Sequence, residues 1–216
     1  MRFKIDPAHT TFFQQNGFIE FEEALSGQEE LLPLLEGALK KRLTKDPSLC
    51  SAEELYHAGR DLWRTSKEIQ KKVFSHPLAE IAAQLFNKKT LLIGFDQLLK
   101  TTQTPGFPGL VAAPLHAYSS IQPLAGALLL HLAGDPTPSP FIPRTPQHVL
   151  ALSPTLPIPW EIFFQTPHQT FLLIAYASPE SLYVHEKKDL HLHALKKMGY
   201  GYGDRLRHEH HPIVCR

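Results

Sequence analysis

The sequence has few cysteines and almost no excess charge of either sign. Its 216 residues include two cysteines, Cys50 and Cys215, which lie far apart and have no cysteine neighbour. Zinc ribbons and C-x-x-C redox pairs need closely spaced cysteines, so both are excluded and a reducing compartment is expected. The formal net charge is +1, which provides no overall field for polyanions. We therefore do not expect nucleic acid as a partner.

Long apolar runs are also missing. No stretch has the length needed to cross a bilayer, and residues 1–7 lack the apolar segment of a signal peptide. A cytoplasmic protein without a membrane partner is therefore expected. Hydrophobic residues make up 43% of the chain and charged residues 20%, which is typical of globular proteins. At this length the composition predicts one domain over residues 1–216.

The first part of the chain, residues 1–90, carries helical signals. Ser26 is a candidate N-cap for a helix with a leucine stripe, and residues 51–54 read as a capping box. Helices are predicted over residues 10–17, from the N-cap Ser26 through Leu43, and over residues 51–72 and 77–87. Within the third of these, the stretch Arg60-Asp61-Leu62-Trp63-Arg64 is interpreted as an exposed helix face with Trp63 anchored in the core.

The sequence pattern changes after residue 90, where short apolar runs are separated by prolines and turn residues. Strands are predicted over residues 18–21, 91–99, 127–132, 148–152, 160–164 and 170–177. Helices followed by strands predict an α+β domain, with a helical layer on one face of a mainly antiparallel sheet. Barrel strands then occupy residues 91–180, and residues 181–216 form a histidine-rich C-terminal segment.

Three segments stand in a distinctive order: FFQQNGFI at residues 12–19, LLIGFDQ at 91–97, and HVLALSP at 148–154 followed by FLLIAY at 171–176. In this order they resemble the phytanoyl-CoA dioxygenase-like branch of the non-heme Fe(II)/2-oxoglutarate-dependent oxygenases. The resemblance implies a double-stranded β-helix, a distorted jelly-roll or cupin-like barrel of two facing antiparallel sheets, with the N-terminal helical layer beside it.

The same resemblance implies Fe(II) held by a His-x-Asp/Glu pair and a distant histidine, with 2-oxoglutarate anchored by an arginine. His116 matches the first ligand, but Tyr118 stands where the carboxylate belongs, and a neutral phenol is a poor ligand for ferrous iron. Residues 154–159, where the distant histidine is expected, contain none. His168 and Gln169 stand where the arginine is expected. These four residues are therefore the candidates for the barrel mouth, and ordinary dioxygenase activity is not expected.

Histidines are concentrated near the C-terminus, at His191, His193, His208, His210 and His211. They are weak candidates for transition-metal ligands, because imidazole binds such ions but no cysteine and few carboxylates lie nearby. We interpret this segment as a solvated surface rather than a defined metal site.

Three functions remain open on the sequence alone. The first is a catalytically degenerate oxygenase-like protein whose barrel binds an unknown small-molecule or protein ligand. The second is a divergent non-heme iron enzyme that uses the barrel mouth, with iron held by His116 and other ligands. The third is a divalent-metal-responsive regulatory protein that works through the histidine-rich segment.

Overall fold

The computed structural model describes residues 5–22, 30–102, 110–137 and 139–216. Ser26, the predicted N-cap of the second helix, lies outside these ranges. The helices are α1 (Pro7–Asn16), α2 (Leu31–Arg42), α3 (Ala52–Ala58), α4 (Lys67–Val73), α5 (His76–Leu85) and α6 (Ala194–Lys197). Within the described ranges, none of them is long and apolar enough to cross a membrane.

Local sequence signals explain where α1 and α3 begin. The Asp6 side chain accepts a hydrogen bond from the His9 backbone N–H at the start of α1, and Gly17 ends that helix in the left-handed region at φ 77°. The predicted capping box of α3 is confirmed, since Ser51 and Glu54 each accept from the other's backbone N–H.

The single helix predicted over residues 51–72 is wrong. After α3 the chain turns at Gly59, passes Asp61 in the left-handed region at φ 53°, and forms the 3₁₀ helix Leu62–Arg64 before α4. The turn is held by backbone pairing with a strand: Leu98 N–H donates to the Gly59 carbonyl and Asp61 N–H to the Asp96 carbonyl, each at 2.9 Å. Tertiary pairing therefore overrides the local helical pattern.

The strands form one curled antiparallel sheet and a small second sheet. They are β1 (Phe18–Phe21), β2 (Leu91–Lys100), β3 (Ala113–Pro114), β4 (Ile121–Ala133), β5 (Val149–Leu152), β6 (Pro157–Ile158), β7 (Thr170–Tyr183) and β8 (Ile213–Cys215). The large sheet has the order β1-β5-β4-β7-β2-β8, and β3 pairs with β6. The segment Trp160–Phe164, predicted as a strand, is a 3₁₀ helix. Its buried residues Trp160, Phe163 and Phe164 follow helical spacing rather than alternation.

Both faces of the large sheet are buried, which explains the continuous apolar runs in β4 and β7. On β7, Ile174 packs with the helical layer, whereas its neighbour Leu173 packs in a second core on the opposite face. That inner core is closed by the β3-β6 pair, by Trp160–Phe164 and by apolar residues of the C-terminal segment. The architecture is the expected α+β fold, with N-terminal helices against a curled antiparallel half-barrel.

Candidate functional site

His116 and Tyr118 lie on the 3₁₀ helix Leu115–Tyr118, just before β4, and both are engaged. The half-buried His116 donates its Nδ1–H to the Pro154 carbonyl oxygen at 2.9 Å. The Tyr118 hydroxyl accepts from the Val111 N–H at 2.8 Å and donates to the Val111 carbonyl at 2.9 Å, while its ring packs edge-on against Trp160. Tyr118 is therefore part of the packed interior.

His168 and Gln169 lie at the other end of the β4-β7 ladder, which runs from the Ile121–Tyr183 pair to the Ala133–Thr170 pair. His168 is exposed in a left-handed turn at φ 57°. Gln169 is buried, with its Oε1 3.0 Å from His131 Nε2, and its amide donates to the Asp135 carbonyl. The structure thus does not bring the four predicted mouth residues together: two lie at each end of the ladder.

The donors present do not fit an iron triad. In the part of the chain that the structure describes, no three or more His, Cys, Asp or Glu side chains are grouped so that they could hold a metal ion. Fe(II) oxygenase sites are built from two imidazoles and one carboxylate. Two residues after His116, where the carboxylate is expected, the phenol of Tyr118 is hydrogen-bonded to the backbone.

The C-terminal histidines are dispersed, and the interpretation of this segment as a solvated surface is wrong for His211. His193 and His208 are exposed, but His211 is buried, and its Nδ1–H donates to the Ile93 carbonyl at 3.0 Å. Burial lowers the pKa of His211 to about 4. The rings of His210 and His211 both pack against buried Tyr200. Because β8 then pairs with β2, the segment is an integral part of the fold.

A buried polar cluster that the sequence interpretation missed lies on the inner face of β2. Arg60, assigned above to an exposed helix face, is only 9% exposed, and its guanidinium carbon lies 3.3 Å from the centroid of the Phe95 ring. Arg60 also forms an antiparallel bridge with Gln97, whose amide donates to the carbonyl oxygens of Tyr56 and Leu98. Bridge partners project from the same face, so Arg60 and Gln97 point together toward the inner core.

His191 joins this cluster from the C-terminal segment. Its ring centroid lies 5.6 Å from that of Tyr56 and 5.2 Å from that of His57. Burial, and then the charge of Arg60, lowers the pKa of His191 to about 2, so the imidazole is neutral near pH 7. The carboxylate of Asp189 fixes the segment by accepting from the N–H groups of His191 at 2.8 Å and Ser120 at 2.7 Å.

Asp96, between Phe95 and Gln97, faces the helical layer and has a structural role. Its carboxylate accepts the N–H groups of Leu62 and Trp63, each at 3.1 Å, at the start of the 3₁₀ helix. Burial, and then the charge of Asp61, raises the pKa of Asp96 to about 7. This carboxylate holds the turn that carries Arg60 against β2.

One sequence signal marks the turn before Arg60. Gly59 interrupts an otherwise helical pattern, and a Cβ atom there would lie 2.6 Å from the Leu98 carbonyl oxygen. A glycine inside a helical pattern can mark a close backbone approach. The position of His191 has no comparable local signal, because it depends on how a distant segment packs.

Comparisons with known proteins place the chain by fold. No protein-family model matches it, and no curated protein matches it significantly in sequence. Among solved structures, the non-heme alpha-ketoglutarate-dependent carbocyclase SnoK from nogalamycin biosynthesis is 13% identical, with a TM-score of 0.62 over 97% of this chain and 96% of that one. The epimerase SnoN, solved with Fe3+, alpha-ketoglutarate and nogalamycin RO, is 14% identical, with a TM-score of 0.61 over 97% and 100%.

A third structure is CT296 from Chlamydia trachomatis. It is 19% identical, with a TM-score of 0.52 over 82% of this chain and 99% of that one. At these identities the similarities establish the fold alone. The chain therefore has the fold of the non-heme iron and 2-oxoglutarate oxygenases, as its sequence resemblance implied.

Proposed function

We propose that this protein is a catalytically degenerate oxygenase-like protein, in which the barrel is a binding scaffold and does not turn over 2-oxoglutarate. The observation that carries the proposal is the donor set around His116. The side chain two residues on is a phenol already bonded to the backbone of Val111, where a ferrous site needs a carboxylate. His116 is itself tied to the Pro154 carbonyl.

The packing of the inner face supports the same proposal. The inner face of the curled sheet is covered by an apolar cluster that includes Phe95, Tyr118, Trp160, Phe163 and Phe171. Such a core stabilises the half-barrel through burial of aromatic side chains. It also separates the two ends of the β4-β7 ladder, so His116 at one end and His168 at the other belong to different surroundings.

The test is an assay of 2-oxoglutarate decarboxylation with Fe(II), ascorbate and oxygen, with succinate as the readout. We expect no iron-dependent succinate from the wild-type protein, while a 2-oxoglutarate-dependent oxygenase run in parallel confirms the conditions. The decisive variant is His116→Ala, and His185→Ala is its control, because His185 is exposed outside the sheet. Succinate formation that is lost in the first variant and kept in the second would refute the proposal and favour a divergent iron enzyme.

The metal-responsive alternative receives no support from the positions of the C-terminal histidines. Of the residues that would form its site, His211 is buried against Ile93 and His191 is half-buried against Tyr56, while His193 and His208 are exposed elsewhere. A titration with Zn²⁺ or Ni²⁺ tests this alternative directly. A stoichiometric rise in melting temperature that is lost in His193→Ala would favour it.

A further inference from the structure

The cluster on the inner face of β2 contains polar groups whose bonding capacity is unused. Gln97 is 1% exposed, and its Oε1 has no hydrogen-bond partner among the described residues. The Nε2 atom of His191 is likewise buried and unpartnered there. Buried acceptors and donors without partners are costly, so each asks for an explanation.

The charge of Arg60 is also uncompensated by direct contact. Its guanidinium stacks on Phe95, but in the described part of the chain no carboxylate pairs with it and it donates no hydrogen bond. A guanidinium presents several N–H donors in a planar fork that matches a carboxylate. One bound monoanion would pair with this fork and neutralise its charge.

The three groups share one neighbour, Tyr56. Gln97 donates to its carbonyl oxygen, the His191 ring packs against its ring, and the Arg60 charge influences its pKa. A surface cleft of about 400 Å³ adjoins them, because it is lined by His57, whose ring contacts His191, and by Arg42, which donates to the Arg60 carbonyl. The lining of the cleft therefore contacts the cluster, whereas Arg60, Gln97 and His191 do not line the cleft themselves.

We propose that Arg60, Gln97 and His191 bind a small monocarboxylic acid that also carries a hydroxyl or amino group. The carboxylate pairs with the Arg60 fork. The hydroxyl or amino group donates to Gln97 Oε1, a group that accepts but cannot donate. The neutral His191 imidazole accepts or donates according to its tautomer. A dianion fits less well, because one guanidinium compensates one charge and the Asp189 carboxylate is held nearby by the His191 N–H.

This inference rests on the proposed scaffold function, since it supplies the ligand class for that scaffold. It can be tested in the absence of iron, so its outcome is independent of the succinate assay. The probes are 2-, 3- and 4-hydroxybutyrate and the three corresponding aminobutyrates, each compared with butyrate. 2-Oxoglutarate tests whether a dicarboxylate binds equally well, and inorganic phosphate tests whether any anion does. Binding is measured by calorimetry and by the shift in melting temperature.

We expect at least one hydroxy or amino isomer to bind about tenfold or more tightly than butyrate, because butyrate leaves Gln97 Oε1 unpaired. In Arg60→Met the apolar stem stays on Phe95 and the fork is lost, so affinity should fall at least about tenfold. Arg64→Met is the matched control, since Arg64 stacks on Trp63 within the same turn. Arg60→Lys, which keeps the charge, covers the case in which Arg60→Met does not fold, and it should bind more weakly than wild type.

Three results would overturn the proposal. The first is the absence of saturable binding by any of the six isomers to the folded wild-type protein. The second is equal binding of butyrate, phosphate or 2-oxoglutarate, which would mean that the unpaired acceptor plays no part. The third is an affinity that Arg60→Met or, where that variant does not fold, Arg60→Lys leaves unchanged.

Discussion

Replacing His211 by glutamine should flatten the dependence of stability on pH between pH 5 and 6.5. The His211 ring is buried and its pKa is lowered by burial to about 4, against an ordinary value of 6.5. A histidine with a lowered folded-state pKa stabilises the fold fully above pH 6.5, and this contribution is lost as pH falls toward 4 because the unfolded chain binds a proton that the native state does not. The loss is about 1.4 kcal/mol per pH unit, or roughly 3 kcal/mol over the whole window.

Two other groups set the total slope. His191, whose pKa in the fold is lowered to about 2, also takes up a proton when the chain unfolds near pH 5.5, so it changes stability in the same direction as His211. Asp96 changes stability in the opposite direction. Because its pKa in the fold is raised to about 7, its contribution to the unfolding free energy is full below pH 4 and is lost as pH rises to 7. Near pH 5.5 the net uptake on unfolding from these three groups is about one proton, and stability should therefore fall by about 1 kcal/mol per unit of acidification.

The His211→Gln variant keeps a donor for the Ile93 carbonyl but cannot titrate. The slope of its unfolding free energy against pH should be smaller than that of the wild type, by the equivalent of nearly one proton taken up on unfolding. His131, whose pKa burial also lowers, contributes equally to both proteins, so the difference isolates His211. Urea unfolding at half-unit pH steps, followed by the fluorescence of buried Trp63 and Trp160, gives both slopes. The exposed His208→Gln is the control. Parallel slopes for wild type and His211→Gln would refute the reasoning.

Two further predictions concern stability. Deleting residues 207–216 removes β8 from its pairing with β2 and also removes buried His211. The deletion should therefore lower the unfolding free energy by about 3 kcal/mol or more. An unchanged urea midpoint for the truncated chain would contradict this prediction. Leu173→Ala and Ile174→Ala should each cost about 2–5 kcal/mol, because both are buried, on opposite faces of β7; thermal unfolding measures both, and a negligible cost for either would mean that its face is not packed.

Five of the six strands predicted from the sequence and the general fold are confirmed, because their signals are local or follow chain order. The run at residues 171–176 is apolar at every position, which is what a strand covered on both faces requires, and it lies within β7. The capping box at Ser51 marked the start of α3 for the same reason: both partners lie within four residues. The order of the resembling segments then indicated the barrel that the comparisons confirm.

The break after α3 could not be predicted from local patterns, because its cause is 33 to 34 residues away. Residues 51–72 carry good helical signals, and only pairing with β2 and the Asp96 carboxylate holds the turn in place. The burial of the C-terminal segment was missed for a related reason. Its sequence is polar, and His211 is buried by a contact with Ile93, a residue 118 positions earlier.

The candidate site also depends on contacts between residues that are distant in sequence. The resemblance directed attention to His116 and Tyr118, where the family's iron donors would stand, and there the side chains are bonded to backbone groups. The unused bonding capacity lies instead around Arg60, which the helical layer contributes to the inner face of the sheet. The proposed monocarboxylic acid would supply the partner that Arg60 lacks among the described residues, and its binding assay without iron tests that role separately from the succinate assay.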